Sequence, residues 1–140
     1  MIWAAHPEYF VILQNMKFYI DTSVWGGNFD KEFSQETRPF FDKLKKGKFI
    51  GVISDVTFDE IMDAPKNVRE LVESIPEEYL EFITLTKEQQ QLADKYVKEG
   101  ALTKKYYSDA QHIAISTILK VDSLVSWNFK HMVNFFRIIP

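Results

Sequence analysis

The sequence predicts an α/β fold, a three-layer α/β/α sandwich whose central sheet is mainly parallel. From Lys17 onward, short apolar runs alternate with stretches of helical periodicity. This alternation is typical of a parallel sheet covered by helices on both faces. The 140 residues contain no repeat, low-complexity tract or linker, and 46% of them are hydrophobic. One domain with one principal core is therefore expected.

The predicted elements follow one another as strand and helix along most of the chain. The expected strands cover residues 18–20, 49–53, 82–85, 123–127 and 136–139. The expected helices cover residues 36–46, 55–62, 68–75, 86–97 and 109–119, with a brief helix near 129–133. Gly47 and Gly100 suit the carboxyl ends of two helices. Ser54 is a suitable N-cap, and Ser108 with Gln111 predicts a capping box.

Composition and charge exclude several classes of protein. The absence of cysteine excludes a disulfide scaffold, thiolate metal sites and a thiol nucleophile, and it fits a cytoplasmic protein. No apolar run approaches the roughly 20 residues of a membrane helix, so no membrane association is expected. The formal net charge is −3. Contacts with RNA would therefore depend on bound cations or on a local cluster such as Lys43, Lys45, Lys46 and Lys48.

Residues 1–15 form an N-terminal extension that differs from the rest of the chain. The segment is apolar and aromatic, is interrupted by His6, Pro7 and Glu8, and lacks lysine and arginine, unlike a secretory signal. Two interpretations remain open. Either Met16 is the native start, or the segment is an arm that packs on its own or a neighbouring subunit. Residues 16–140 are expected to form the domain.

Oxygen-bearing side chains are predicted to gather at one edge of the sheet. Asp21 directly follows the first strand, and Glu60 lies almost two turns into the helix after the second. Asp109 opens a later helix, and Asn128 follows the fourth strand. Ligands of open parallel sheets bind beyond the carboxyl ends of the strands. Because clustered carboxylates repel one another unless a cation is present, and Mg²⁺ and Mn²⁺ prefer oxygen ligands, the pattern favours a metal site.

Each of these acids also has a purely structural interpretation. Asp21 followed by Thr22 and Ser23 is a common type of turn that caps the next helix. The helix dipole favours an acid at the position of Asp109 without any catalysis. Glu60 would suit a solvated helix face. Only their joint position at one sheet edge favours the metal site.

Four segments of the chain resemble PIN domains in order and approximate spacing. They are residues 19–23 (YIDTS), 54–61 (SDVTFDEI), 108–114 (SDAQHIA) and 124–128 (LVSWN). The resemblance covers residues 16–140 and is greatest to the small stand-alone PIN proteins that include VapC-type toxins. It implies a PIN-like α/β/α sandwich whose acids bind Mg²⁺ or Mn²⁺, a homodimer, and an endoribonuclease with a cognate antitoxin protein as a partner.

On this resemblance, the site residues are assigned one by one. Asp21, Glu60 and Asp109 match the first three acids of the family and would be the catalytic metal ligands. The chain departs from the family at Asn128, where many PIN domains have a fourth acid. Asparagine contributes no negative charge, so a second metal would be held less tightly.

Hydrogen-bonding side chains beside the acids are expected to support them. Thr22 or Ser126 would bond a carboxylate or the attacking water. His112 falls one turn after Asp109, near enough to approach the site, although a hydrogen-bonded, partly buried histidine is the favoured interpretation.

Two other functions compete with metal-dependent RNA hydrolysis. The first is a PIN-like module with a degenerate site that only binds a partner or RNA, which Asn128 and the acidic balance favour. The second is a phosphatase with Asp21 as nucleophile, as in haloacid-dehalogenase-like enzymes. Those enzymes require a second aspartate two positions later, where this chain has Ser23. Ser23 also lacks recognisable histidine and aspartate partners, which argues against a serine hydrolase.

Overall fold

The computed structural model describes residues 16–100, 107–119 and 121–128. The extension of residues 1–15, the brief helix expected near 129–133 and the strand expected at 136–139 lie outside the described residues.

The described residues form one four-stranded parallel sheet. Its strands are β1 (Lys17–Ile20), β2 (Ile50–Ser54), β3 (Leu80–Ile83) and β4 (Ser123–Val125). Their spatial order is β3-β2-β1-β4, and every pairing is parallel. Each strand therefore ends at the same edge of the sheet, as the predicted fold class requires. The prediction of an α/β fold with a parallel sheet is confirmed.

Helices connect these strands. They are α1 (Thr22–Gly27), α2 (Ser34–Lys45), α3 (Asp55–Met62), α4 (Lys66–Glu73), α5 (Lys87–Lys98) and α6 (Tyr107–Leu119). A short 3₁₀ turn, Glu77–Tyr79, leads into β3. Among the described residues, the helices are too short or too polar to cross a membrane. The sequence did not predict α1, because its last two residues are glycines, which disfavour helix.

The starts of three helices show where capping residues in the sequence predicted the structure correctly and where they did not. Ser54 caps α3, since its side chain accepts a hydrogen bond from the backbone N–H of Thr57. The capping box predicted at Ser108 is wrong, because α6 already includes Tyr107. A capping box exists instead at Thr86, whose side chain and backbone exchange hydrogen bonds with Gln89 at the start of α5.

The alternation of side chains along β1 divides the core into two layers. Phe18 and Ile20 face the layer of α1, α2 and α4, whereas Tyr19 faces the layer that contains α6. The first layer is rich in aromatic side chains, with Phe40 and Phe49 at a ring-centroid distance of 5.0 Å. The second layer joins α5 to α6 through small and branched apolar side chains. Covering both faces completes the α/β/α sandwich.

Replacing Gly47 with alanine is expected to destabilise the fold. Gly47 has φ of +72°, and an added Cβ would lie 2.5 Å from the ring of Tyr79. The left-handed conformation alone costs a non-glycine residue about 1–2 kcal/mol, and the clash adds to it. Gly26→Ala is the matched control, because nothing lies within 4 Å of its added Cβ. Urea unfolding should show a loss only for Gly47→Ala; equal stabilities would contradict the prediction.

Candidate active site

Asp21 lies at the centre of the carboxyl edge of the sheet. Its backbone N–H donates to the carbonyl of Val125 at 3.0 Å, so it continues the pairing of β1 with β4. Its side chain is only 2% exposed. The hydroxyls of Ser126 and Ser23 donate to Asp21 Oδ2 at 2.6 and 3.2 Å. A carboxylate held in this way is fixed in direction.

Glu60 reaches the same place from α3. The cap at Ser54 starts this helix at the end of β2, and Glu60 follows within its second turn. Thr22 Oγ1 donates to Glu60 Oε1 at 3.0 Å, which ties the start of α1 to α3. The Glu60 side chain is 36% exposed. It is therefore the acid of the site that faces solvent.

Asp109 and Asn128 complete the cluster from the other side. Asp109 is in the first turn of α6 and is buried. The Asn128 amide nitrogen lies 3.0 Å from Asp109 Oδ1 and 3.4 Å from Asp21 Oδ2. The structure thus brings together Asp21, Asp109 and Asn128, whose elements are far apart in sequence. Thr22 donates a hydrogen bond to Glu60, and Ser126 donates one to Asp21.

His112 occupies the space between two of the carboxylates. The residue has no exposed surface. Its Nε2 lies 2.8 Å from Glu60 Oε1 and 3.3 Å from Asp21 Oδ1. Its Nδ1 lies 2.6 Å from the hydroxyl of Tyr19. The sequence favoured a partly buried, hydrogen-bonded histidine, whereas His112 is hydrogen bonded but completely buried, and it is also part of the acidic cluster.

The buried hydroxyl of Tyr19 holds the His112 ring in place. The Tyr19 hydroxyl lies 2.7 Å from Ser54 Oγ and 3.3 Å from Thr57 Oγ1, both at the start of α3. Burial raises the pKa of Tyr19 well above its usual value, so the phenol stays neutral. Sequence reasoning missed Tyr19, although a tyrosine at a buried strand position two residues before Asp21 is a usable signal, because its hydroxyl needs a partner.

The pKa values of the pair formed by His112 and Glu60 shift in opposite directions. Burial alone lowers the pKa of His112, but the charges of Asp21, Glu60 and Asp109 and the hydrogen bond to Glu60 together raise it above its usual value. Burial alone raises the pKa of Glu60, but the hydrogen bond and charge of His112, with hydrogen bonds from Thr22 and Ser108, lower it overall. Both shifts favour the ion pair.

These shifts predict the pH dependence of stability without metal. The contribution of His112 is complete below its ordinary pKa of 6.5 and is lost as pH rises through the raised value. The contribution of Glu60 is complete above its ordinary 4.5 and is lost as pH falls through the lowered value, although exposure weakens it. The free energy of unfolding should therefore decline above pH 6.5 in chelator-treated protein, and less so in His112→Gln. An identical decline in both proteins would contradict the prediction.

An aromatic contact anchors the loop that carries Ser126 and Asn128. Trp127 Nε1 donates to Thr37 Oγ1 at 3.1 Å, and its ring stacks on Phe33 at a centroid distance of 4.6 Å. The backbone N–H of Trp127 donates to Ser23 Oγ at 3.0 Å. These contacts connect the loop after β4 to α2 and to the start of α1, and so hold Asn128 beside the acids.

The lysine cluster of residues 43–48 does not adjoin the acids of its own chain. These lysines end α2 and precede β2, whereas Asp21 follows the end of the parallel strand β1. The cluster therefore lies at the opposite edge of the sheet. Within one chain, these lysines therefore do not lie beside the acids.

The chemistry of the donors suits a hard divalent cation. Three carboxylates and one amide oxygen are the ligand types that Mg²⁺ and Mn²⁺ prefer. Within the described residues, no group of three acidic or imidazole side chains is already arranged around a common metal position. The facing oxygens instead accept hydrogen bonds from His112 and Asn128. A cation would have to replace at least one of these donors.

The fold and the site define a class of protein, a parallel α/β/α sandwich with acids at the carboxyl edge of its sheet. No protein-family model matches the sequence, and no curated protein matches it. Among solved structures, Mycobacterium tuberculosis VapC20, a toxin that cleaves the sarcin–ricin loop, matches with a TM-score of 0.64 and 11% identity, over 83% of this chain and 93% of that chain. The fold is therefore the PIN-like fold of VapC20.

A second solved structure is also similar. It is VapBC2 from Rickettsia felis, bound to a DNA fragment from the promoter, with a TM-score of 0.47 and 13% identity. This match covers 81% of this chain and 100% of that chain.

Proposed function

We propose that this protein is a metal-dependent endoribonuclease that hydrolyses RNA phosphodiester bonds. The observation that carries the proposal is the joint position of Asp21, Glu60 and Asp109 at the carboxyl edge of a PIN-like sheet, linked through His112 and Asn128. Burying carboxylates next to one another is costly, so a fold that does so needs a reason beyond stability.

The proposed roles follow from what each side chain contacts. Asp21, Glu60 and Asp109 hold Mg²⁺ or Mn²⁺, and such an ion supplies an activated water and offsets charge on the phosphate. Ser126 and Thr22 fix the directions of Asp21 and Glu60 through their hydrogen bonds. Asn128 positions a ligand water or the phosphate. Glu60 is the most accessible acid and so lies nearest the side from which RNA approaches.

The resemblance to VapC-type toxins extends this proposal to a biological role. The chain would be the toxin of a toxin–antitoxin pair, and a cognate antitoxin protein would be its partner. The PIN-like fold shared with VapC20 supports that role. Inspection of the neighbouring reading frame for a small antitoxin, followed by co-purification of the two products, tests it.

A degenerate site that only binds RNA or a partner is the second candidate. The donor groups of Asn128 and His112 already neutralise the carboxylates, which is the observation that favours it. A phosphatase is disfavoured, because Asp21 Oδ2 accepts hydrogen bonds from Ser126 and Ser23, and Ser23 occupies the position of the required second aspartate.

Cleavage of RNA with and without chelator distinguishes these candidates. Purified protein is incubated with total RNA, including ribosomal RNA, in Mn²⁺, in EDTA, and in EDTA followed by excess Mn²⁺. A ribonuclease of the proposed type gives discrete fragments that EDTA abolishes and Mn²⁺ restores. RNA binding without cleavage under all three conditions would establish the binding module instead.

We also expect a homodimer. Phe58, Met62 and Phe82 are each about half exposed, at 46%, 52% and 53%. The rings of Phe58 and Phe82 lie edge to face at 6.0 Å, and Met62 follows Phe58 by one helical turn. Such an apolar patch suits closure against a second copy. Light scattering across a dilution series should show a dimer, and Phe82→Glu should weaken it, whereas Phe29→Glu should not. A monomer at every micromolar concentration would contradict the prediction.

A further inference from the structure

A stacked pair of aromatic rings adjoins the acids at the carboxyl edge of the sheet. The ring of Phe33 stacks on that of Trp127 with a centroid distance of 4.6 Å and an angle of 17° between the ring planes. Trp127 directly precedes Asn128, whose amide nitrogen lies 3.0 Å from Asp109 Oδ1. Consecutive Cα atoms are only about 3.8 Å apart. The aromatic pair therefore lies at the margin of the candidate active site.

Packing and hydrogen bonds fix the ring of Trp127. Its Nε1 donates to Thr37 Oγ1 at 3.1 Å, and the Thr37 hydroxyl donates in turn to the carbonyl of Phe33 at 2.7 Å. Gly27 leaves room for the indole, since an added Cβ would lie 2.7 Å from Trp127 Nε1. The indole also packs against the aromatic layer of the core, so Phe33 is the outer ring of the pair. The pair is thus ordered before any ligand binds, which lowers the entropic cost of stacking on it.

Helix capping does not explain why Phe33 is aromatic. Phe33 is the N-cap residue of α2, and its side chain makes no capping hydrogen bond. This position favours Ser, Thr, Asp and Asn, whose side chains accept hydrogen bonds from the backbone. Phe33 is also only partly buried, so it contributes less to stability than the aromatic side chains of the core. A residue that breaks a local rule beside a candidate site points to a role in function.

An exposed arginine lies next to this pair. Arg38 follows Thr37 in α2, and its Nε donates to the carbonyl of Asn28 at 3.2 Å. The terminal nitrogens of a guanidinium carry four further N–H groups, which suit the oxygens of a phosphate. Asp30 and Glu32 are exposed in the preceding loop, so the attraction for a phosphate is local to Arg38. A flat ring beside a guanidinium matches a nucleotide, which has a flat base and a phosphate.

We propose that an unpaired base of RNA stacks on Phe33 and that this contact places the neighbouring phosphate at the acids. The inference rests on the proposed function, since it takes RNA as the substrate. In a duplex the faces of each base are covered by its neighbours, so only an unpaired base can stack on a side chain. The substrate class is therefore single-stranded RNA or an unpaired loop. Trp127 acts as a positioning residue through Phe33.

Binding of two fluorescent oligonucleotides in EDTA tests the inference without measuring cleavage. One is an adenylate dodecamer of RNA, and the other has the same ribose–phosphate backbone without bases. Stacking of a base on an aromatic side chain strengthens binding by at least about 5-fold, so the wild type should prefer the adenylate strand by that factor.

Variants of Phe33 locate this preference. Phe33→Leu keeps an apolar side chain against Trp127 but removes the aromatic face. It should lose the preference for the adenylate strand and bind the abasic strand as the wild type does. Phe33→Tyr retains the ring and should bind both strands normally. Phe29→Leu is the matched control, because it makes the same change at an exposed position of the same loop, and it should also bind both strands normally.

The abasic strand separates stacking from a structural role. If Phe33 only anchored the loop after β4, Phe33→Leu would weaken binding of both strands equally, and that result overturns the inference. A wild type that binds neither strand, or binds both equally, also overturns it, as does an equal loss in Phe29→Leu. Circular dichroism shows whether each variant is folded, and Phe33→Met replaces Phe33→Leu if the latter is not.

The same proteins in Mn²⁺ separate this inference from the proposed function. Base-dependent binding through Phe33 without RNA cleavage would overturn the ribonuclease and leave the inference standing. Cleavage in Mn²⁺ without base-dependent binding would overturn the inference and leave the ribonuclease standing.

Discussion

Replacing Asp21 with asparagine is expected to abolish metal-dependent RNA cleavage and leave the fold intact. Asp21 is the central acid of the site, since one of its oxygens faces His112 and the other faces Asn128. Asp21→Asn replaces a charged metal ligand with a neutral one. Loss of a residue that only orients a metal ligand costs up to about 100-fold in activity, so the rate of RNA cleavage should fall by at least that factor.

The variant should remain folded because the change is nearly isosteric. The hydroxyls of Ser126 and Ser23 can reverse to accept from the new amide, and the remaining amide oxygen would keep its place 3.3 Å from His112 Nε2. Melting curves provide the measurement: Mn²⁺ should raise the melting temperature of the wild type by several degrees but not that of Asp21→Asn. Asp42→Asn, the same change at an exposed position of α2, is the control. An unchanged cleavage rate in Asp21→Asn would mean that Asp21 is only a turn residue.

Truncating Phe40 to alanine is expected to have the largest effect on stability. Phe40 has no exposed surface, and its ring packs against those of Phe41 and Phe49 at 5.2 and 5.0 Å. Removing a fully buried phenylalanine typically costs about 3–5 kcal/mol, because it loses apolar burial and leaves a cavity. Domains have only about 5–15 kcal/mol of stability in total.

The matched control for this substitution is Phe29→Ala. Phe29 is 40% exposed. Truncation at a surface position should change the free energy of unfolding by no more than about 0.5 kcal/mol. Urea unfolding of the three proteins, at one protein concentration, measures the difference. Similar losses in the free energy of unfolding for Phe40→Ala and Phe29→Ala would contradict the prediction.

Much of the fold follows from local patterns in the sequence. The strands are short apolar runs, and Ser54 and Gly47 mark helix ends through their side-chain or backbone chemistry, which depends on few neighbours. Strand β3 began two residues earlier than its apolar run indicated, because its side chains are only partly buried. Helix α1 was not predicted because it contains two glycines. Tertiary packing stabilises it nevertheless, since Val24 and Trp25 are fully buried.

The sequence by itself determined which acids meet. Asp21 follows the end of β1, Asp109 lies in the first turn of α6, and Glu60 lies in the second turn of the helix that follows β2. Parallel pairing places the ends of β1, β2 and β4 at one edge of the sheet. Asn128 follows from the same reasoning. Their order along the chain was sufficient, because topology and not side-chain detail decides where such residues lie.

Only the tertiary structure decided what fills the space between the acids. His112 contacts Tyr19 across 93 positions of sequence and Glu60 across 52, and no local pattern encodes either contact. Periodicity shows which side chains are buried, but the partner of a buried polar group depends on how separate elements pack, and only the folded chain determines that.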